Sequence, residues 1–170
     1  MALPQVTTPT YELAVPSTDK KLKYRPFLVK EEKILMIAME AKEQSGIIDA
    51  VKQIVQSCTF EKFDMNSAPM FDVEYIFLNI RAKSVGEVST VRLRCPDDNE
   101  TFVQTDIDLT KVEVEVNDEH SNKIELTEEM GMIMKYPTLE SFVSLDATSI
   151  NASNMIDIIA ACIVQIYDKK

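Results

Sequence analysis

What this 170-residue chain has little of narrows it most. It contains three glycines and no tryptophan, so a glycine-rich loop that cradles phosphates has nothing to be built from. Its single histidine, His120, lies in the polar run Asp118-Glu119-His120-Ser121-Asn122. That excludes histidine-rich zinc sites and leaves any Ser-His-Asp device to one turn. A catalytic histidine needs orienting partners that this turn does not supply, so His120 reads as a surface residue. Cys58, Cys95 and Cys162 are far apart, lack CxxC spacing and follow no apolar leader, the pattern of reduced thiols in a cytosolic setting. The longest apolar runs are too short for a bilayer core of about 30 Å. Bases are outnumbered as well: 18 Lys and Arg stand against 28 Asp and Glu, a net charge of -10, with a pI near 4.6. Such a chain is poorly suited to neutralising nucleic-acid phosphates by itself. A protein partner is the better reading, with no cofactor, membrane or small-molecule substrate expected.

What is present describes a folded α+β chain. Hydrophobic residues make up 45% of it, enough for one ordinary domain or two small ones. Residues 1–9 carry Pro4 and Pro9 among polar neighbours and read as an extended arm. Tyr11 to Val15 and Leu22 to Phe27 flank Pro16-Ser17-Thr18-Asp19, which predicts a hairpin with Lys20, Lys21, Lys23 and Arg25 on its second half. Lysine there reads first as protection of a solvated edge, with a docking surface for an acidic partner as the second reading. From Val29 the period becomes helical. Ile34, Leu35, Ile37, Ala38 and Ala41 trace an inner stripe, and Lys30, Glu31, Glu32, Lys33, Glu40 and Lys42 fill the outer face. Ser45-Gly46 breaks the run before a second stripe of Ile47, Ile48, Val51, Ile54, Val55 and Cys58, giving a helix hairpin. After a connector in which Met65, Met70 and Phe71 act as filler, Asp72 to Lys83 predicts a third helix with Val73, Ile76, Phe77 and Ile80 inward, ended by Gly86.

The pattern then alternates by twos. Val91, Leu93 and Cys95 alternate with Thr90, Arg92 and Arg94; Pro96 to Glu100 is turn chemistry; Val103, Thr105, Ile107 and Leu109 share a face of the returning strand; and Val112, Val114 and Val116 alternate with Lys111, Glu113 and Glu115. These predict an antiparallel meander, with two further short strands at Lys123 to Leu126 and Met132 to Tyr136 before Pro137. A short helix follows from Thr138 to Leu145. The last element, from about Ser153 through Ile166, is apolar over a broad arc and reads as a largely buried helix. The expected architecture is α+β: an N-terminal hairpin and helices packed with a central antiparallel β-meander and closed by a C-terminal helix. The expected regions are 1–28 (arm and basic hairpin), 29–86 (helical), 87–136 (meander, resembling a degenerate ribbon) and 137–170 (C-terminal helices, with a continuation expected from the apolar last helix).

Chemistry is sparse. Acidic residues gather at Asp97, Asp98, Glu100, Asp106, Asp108, Glu113, Glu115, Asp118 and Glu119, but without the spacing or central glycine of an EF-hand. They read as a solvated face that complements the basic front end. A metal-dependent hydrolase using Asp97, Asp98, Asp106 and Asp108 is a weaker reading that rests on paired carboxylates alone. Cys95-Pro96-Asp97-Asp98 sits where a zinc-ribbon knuckle would, yet Asp98 occupies the second ligand position and no second pair exists. The nucleic-acid-binding ribbon module this suggests is disfavoured by the acidic meander.

Several strings carry more than their chemistry: Leu3-Pro4, Pro9, Tyr11-Glu12-Leu13 and Val15-Pro16-Ser17, then RPFLVKEEKILMIA (Arg25 to Ala38), then FDVEYIFLNIRAKSVGE (Phe71 to Glu87). Over nearly the whole chain these resemble the baseplate hub assembly family of T4-like bacteriophages. The resemblance implies a structural subunit or chaperone-like assembly factor for the central hub of a contractile tail baseplate, with no catalysis. It implies the host cytoplasm during assembly and, for a structural subunit that is retained, the virion tail baseplate, with other phage hub proteins as partners. Members of the family continue beyond the helix that ends near Tyr167, and their strand after the second block carries a Cys-Pro knuckle, of which Cys95-Pro96 remains. Exposed residues of the matching blocks are then the candidate contacts: Tyr11, Arg25, Phe27, Lys30, Arg81, Lys83, Ser84 and Glu87.

Overall fold

The computed structural model describes residues 8–41, 43–115, 117, 119–144 and 152–168. Residues 1–7 of the expected arm, Lys42, Val116, Asp118 and the helix end at Leu145 lie outside them. Contacts divide the chain into two compact units, Met1–Phe63 with Glu74–Glu113, and Asp64–Val73 with Val114–Lys170. Helices and antiparallel sheets make up both, and the class is α+β.

In the first unit β1 (Tyr11–Ala14) and β2 (Lys21–Tyr24) form the expected hairpin, Tyr11 opposite Tyr24 and Leu13 opposite Leu22. Period-two alternation buries Leu13, Leu22 and Tyr24 and turns Lys21 and Lys23 to solvent. Helix α1 (Val29–Ala41) keeps Ile34, Leu35 and Ala38 inward, but its stripe begins at Glu31, which is buried, while Ile37 and Ala41 are exposed. Spacings of three, four and seven from Glu31 select this stripe, so the acid expected on the outer face is a core residue. Helix α2 (Gln44–Cys58) starts ahead of Ser45-Gly46, not after it, and its Ile54, Val55 and Cys58 are fully enclosed. Beyond its end Phe60 and Glu61 both adopt φ of 58°, and the Glu61 N–H reaches back to the Gln56 carbonyl. In a chain so short of glycine, ordinary side chains take left-handed positions that close a helix.

Helix α3 (Met70–Val85) buries Val73, Ile76 and Ile80 at helical spacing. Gly86, at φ of 146°, then makes a turn that L side chains rarely adopt and leads into a ribbon of β3 (Val88–Arg94) and β4 (Phe102–Asp108). The meander stops there. Asp108 accepts from the Thr110 N–H and hydroxyl and starts a single 3-10 turn, Leu109–Lys111, with Leu109 buried. Val112 to Glu115 have no regular structure. A register that aligned these valines with Val103 and Ile107 would set Glu113 opposite Asp106, and like charges directly opposite destabilise a strand pair.

The second unit has its own sheet, in the order β5 (Lys123–Glu125), β6 (Met130–Met134), β7 (Ile163–Asp168), antiparallel throughout. Its last strand corrects the sequence reading. Helix α5 (Ala152–Cys162) ends at Cys162, and Ile163 onward pairs with β6. Ile163 and Ile166 fit a helical spacing, but β-branched residues offered a free strand edge take the pleated form. Tyr167 lies opposite Gly131 with its ring where a Cβ on Gly131 would stand. The expected burial of α5 is also corrected: Met155, Ile156 and Ile159 are exposed and Cys162 is enclosed. Most of its apolar arc is therefore open, and Cys162 at its end is the part that is buried. Residues 69–71 are tied to 136–138: the Met70 N–H donates to Pro137, Pro69 bridges Thr138, and Phe71 meets Tyr136 edge-on at 4.9 Å. These hold the short helix α4 (Leu139–Ser144), whose Leu139 is buried. No helix of the described residues is long and apolar enough to cross a membrane.

Candidate functional site

The candidate contact residues all belong to the first unit, and the fold sorts them into two groups. The first group is internal. Arg25 follows β2 and is fixed by its own N–H, which donates to the Cys58 carbonyl at the end of α2 (2.9 Å). Its guanidinium donates to Glu31 (2.8 Å) and to the Ser57 hydroxyl (3.0 Å), with the two charged side chains only 13% and 5% exposed. Glu31 is satisfied at both oxygens: one accepts from Arg25 and Ser57, the other from the Leu28 N–H at 2.8 Å. Because α1 begins at Val29, Glu31 is the third helical residue reaching back to the residue before the helix, half of a capping box. Burial alone would raise its carboxyl, but the bonds from Arg25, Leu28 and Ser57 outweigh this and hold it at about 2. Arg25 thus clamps the hairpin to both helices.

Phe27 and Ser84 are joined in the same way. The Phe27 N–H donates to the Ser84 hydroxyl at 2.9 Å, and that hydroxyl donates back to the Ile80 carbonyl one turn earlier. The two sequence blocks, Arg25 to Ala38 and Phe71 to Glu87, are therefore bonded to each other across 57 positions. Arg81 is half-buried, and its Nη1 is enclosed without a hydrogen-bond partner among the described residues.

A second group reaches the surface. Lys83 pairs with Glu87 one turn on and stands over the Tyr11 ring, 5.4 Å from its centroid. The Glu87 bond raises the Lys83 ammonium above its ordinary value. Behind them Tyr11 stacks at a tilt on Tyr24, 5.7 Å away, and burial pushes the Tyr24 phenol up. Lys30 is exposed on the first turn of α1. Tyr11, Lys83 and Glu87 form one patch. The residues that sequence reasoning missed are Glu31 and Ser57. The three-residue offset from Leu28 to Glu31 was the available signal for the first; Ser57 carried none, because its partners are 26 and 32 positions away.

The remaining chemical candidates are held locally. Asp98 accepts from the Glu100 and Thr101 N–H groups and from the Thr101 hydroxyl, and the Thr101 bonds lower its carboxyl to about 2. It caps the ribbon's turn in the place where a knuckle would put a ligand. Asp106 accepts from Thr90 across the ribbon, and Asp108 starts the 3-10 turn. No cluster of His, Cys, Asp and Glu able to hold a metal occurs among the described residues. Burial drives the Cys58 thiol up to about 11, consistent with a small core hydrophobe. His120 stacks flat on Tyr136 at 5.5 Å.

Comparison with curated proteins finds no match, and comparison with solved structures finds none either. A protein-family model does match, over residues 8–170, and by it the chain belongs to the family described as T4 bacteriophage base plate protein.

Proposed function

We propose that this chain is a structural subunit or chaperone-like assembly factor of the central hub of the phage tail baseplate, acting through protein contacts and without catalysis. The observation that carries the reading is the set of large apolar side chains left open on regular helices. Met36, Ile37 and Met39 on α1 and Met155, Ile156 and Ile159 on α5 are all roughly half exposed or more. Scattered apolar exposure is ordinary, but helix-face clusters of Met and Ile suit a partner surface. Tyr11, Lys30, Lys83 and Glu87 are the polar contacts available beside α1 and α3, with Arg25, Phe27, Arg81 and Ser84 set behind them. The partners on this reading are other hub proteins, met in the host cytoplasm during assembly; a structural subunit then stays with them in the virion tail, and an assembly factor leaves. A pull-down of the full chain against purified hub proteins tests it. Specific capture, weakened by Met155→Asp with Ile159→Asp, is the expected result; capture of none of them overturns the proposal. Mass spectrometry of purified particles separates a retained subunit from a factor that leaves.

A further inference from the structure

The strands of the β3–β4 ribbon pair only with each other among the described residues. The Cys95 N–H donates to Thr101 and the Leu109 N–H to Glu87. Given the register, odd-numbered residues of the ribbon turn their backbone groups inward and even-numbered ones outward. The outer edge of β3 therefore presents the N–H and C=O groups of Thr90, Arg92 and Arg94 to solvent.

The same register sorts the side chains. Leu93 and its cross-strand partner Val103 share one face with Val91 and are 53% and 56% exposed. On the other face the guanidinium groups of Arg92 and Arg94 lie 5.1 and 5.5 Å from the centre of the Phe102 ring. Neither arginine makes an ion pair among the described residues. In a chain of net charge -10, two adjacent unneutralised cations mark this edge. A two-stranded ribbon with an open apolar face is marginal alone, and an exposed strand edge is a template for pairing.

We propose that the β3 edge accepts an extended segment of a partner protein as a third strand. Two acidic residues of that segment, two positions apart, stand beside Arg92 and Arg94, and the apolar residues between and around them extend the Val91 and Leu93 face. The charge of the edge selects this occupant. Two copies of β3 pairing with each other would bring arginine against arginine, and the outward row of β4 carries Asp106 and Asp108, which repel an acidic strand. The proposal deepens the assembly reading and rests on it for the partner being a structural protein.

The probe is a peptide of alternating valine and glutamate, titrated into the isotope-labelled full chain with amide shifts read by NMR; its valine and lysine counterpart is the control. The expected result is shifts at Thr90, Arg92 and Arg94, with the lysine peptide about tenfold weaker there, a preference of about 1.4 kcal/mol. Arg92→Glu with Arg94→Glu inverts the preference while leaving the Val91 and Leu93 face intact. No shift at those amides, or equal response to both peptides, overturns the proposal. So do concentration-dependent shifts there without peptide, since Val112-Glu113-Val114-Glu115 of a second copy has the same alternation. The peptide is not a hub protein, so failure here is distinguishable from failure of the hub pull-down.

Discussion

Replacing Glu31 by glutamine tests the central structural claim, that a buried ion pair clamps the hairpin to the helices. The substitution keeps shape and removes charge. It leaves the Arg25 guanidinium, 13% exposed, without its counter-ion, and weakens the acceptor for Leu28 and Ser57. The carboxyl's fall from 4.5 to about 2 corresponds to about 3 kcal/mol favouring the ionised form in the folded state. Breaking one side of a buried pair typically costs about 3–5 kcal/mol, so Glu31→Gln should cost about 3 kcal/mol near neutral pH. The sign with pH follows from the lowered value. The native state binds this proton less readily than the unfolded chain, so the contribution is full above about 4.5 and fades as pH falls towards about 2. Urea unfolding followed by far-UV circular dichroism, on wild type and variant across that range, should show the stability gap closing as pH drops. The double variant Arg25→Met with Glu31→Leu should cost less than the two single changes combined, because apolar replacement of both partners leaves no orphaned charge. A gap under about 0.5 kcal/mol near neutrality, within the range typical of an exposed pair, would refute the reasoning. So would a gap that persists unchanged in acid.

Ile76→Asp places a charge on a side chain with no solvent access and should abolish the cooperative unfolding transition; a soluble variant with native circular dichroism would show that this helix face is misassigned. Gly131→Ala puts a methyl group 2.5 Å from the Tyr167 hydroxyl and 2.6 Å from its ring, at a cost of about 1–3 kcal/mol. Combining it with Tyr167→Ala should give much less than the additive loss, and strict additivity in urea midpoints would argue against the contact. Thiol labelling of the native chain should modify Cys95, which is partly accessible, ahead of Cys58 and Cys162, which are buried. Rapid labelling of Cys58 without denaturant would contradict its raised thiol and full enclosure.

Legibility followed the reach of each interaction. The stripes Ile54-Val55-Cys58 and Val73-Ile76-Ile80, the turn at Gly86 and the β1–β2 hairpin were readable because their causes lie within a few residues: period, breaker and turn chemistry. Glu31 was misplaced because three apolar neighbours defined its helix face only once Arg25 supplied a buried counter-charge. Ile163 to Ile166 satisfied both helical and strand spacing, and only the free edge of β6 chose between them. Composition predicted a buried α5, but burial requires an opposing surface, and Met155, Ile156 and Ile159 have none among the described residues.

The candidate contacts divide along the same line. The matching strings located Tyr11, Arg25, Phe27, Lys30, Arg81, Lys83, Ser84 and Glu87, and the family followed from them. Which of these hold the fold and which reach solvent depended on Phe27 meeting Ser84 and Arg25 meeting Ser57. By itself the sequence determined that this is an acidic α+β chain without a recognisable catalytic constellation, since composition and spacing are local properties. The burial of a charged pair, the free edge of β3 and the exposure of α5 were decided by tertiary structure, because each depends on what residues distant in sequence place, or fail to place, against it.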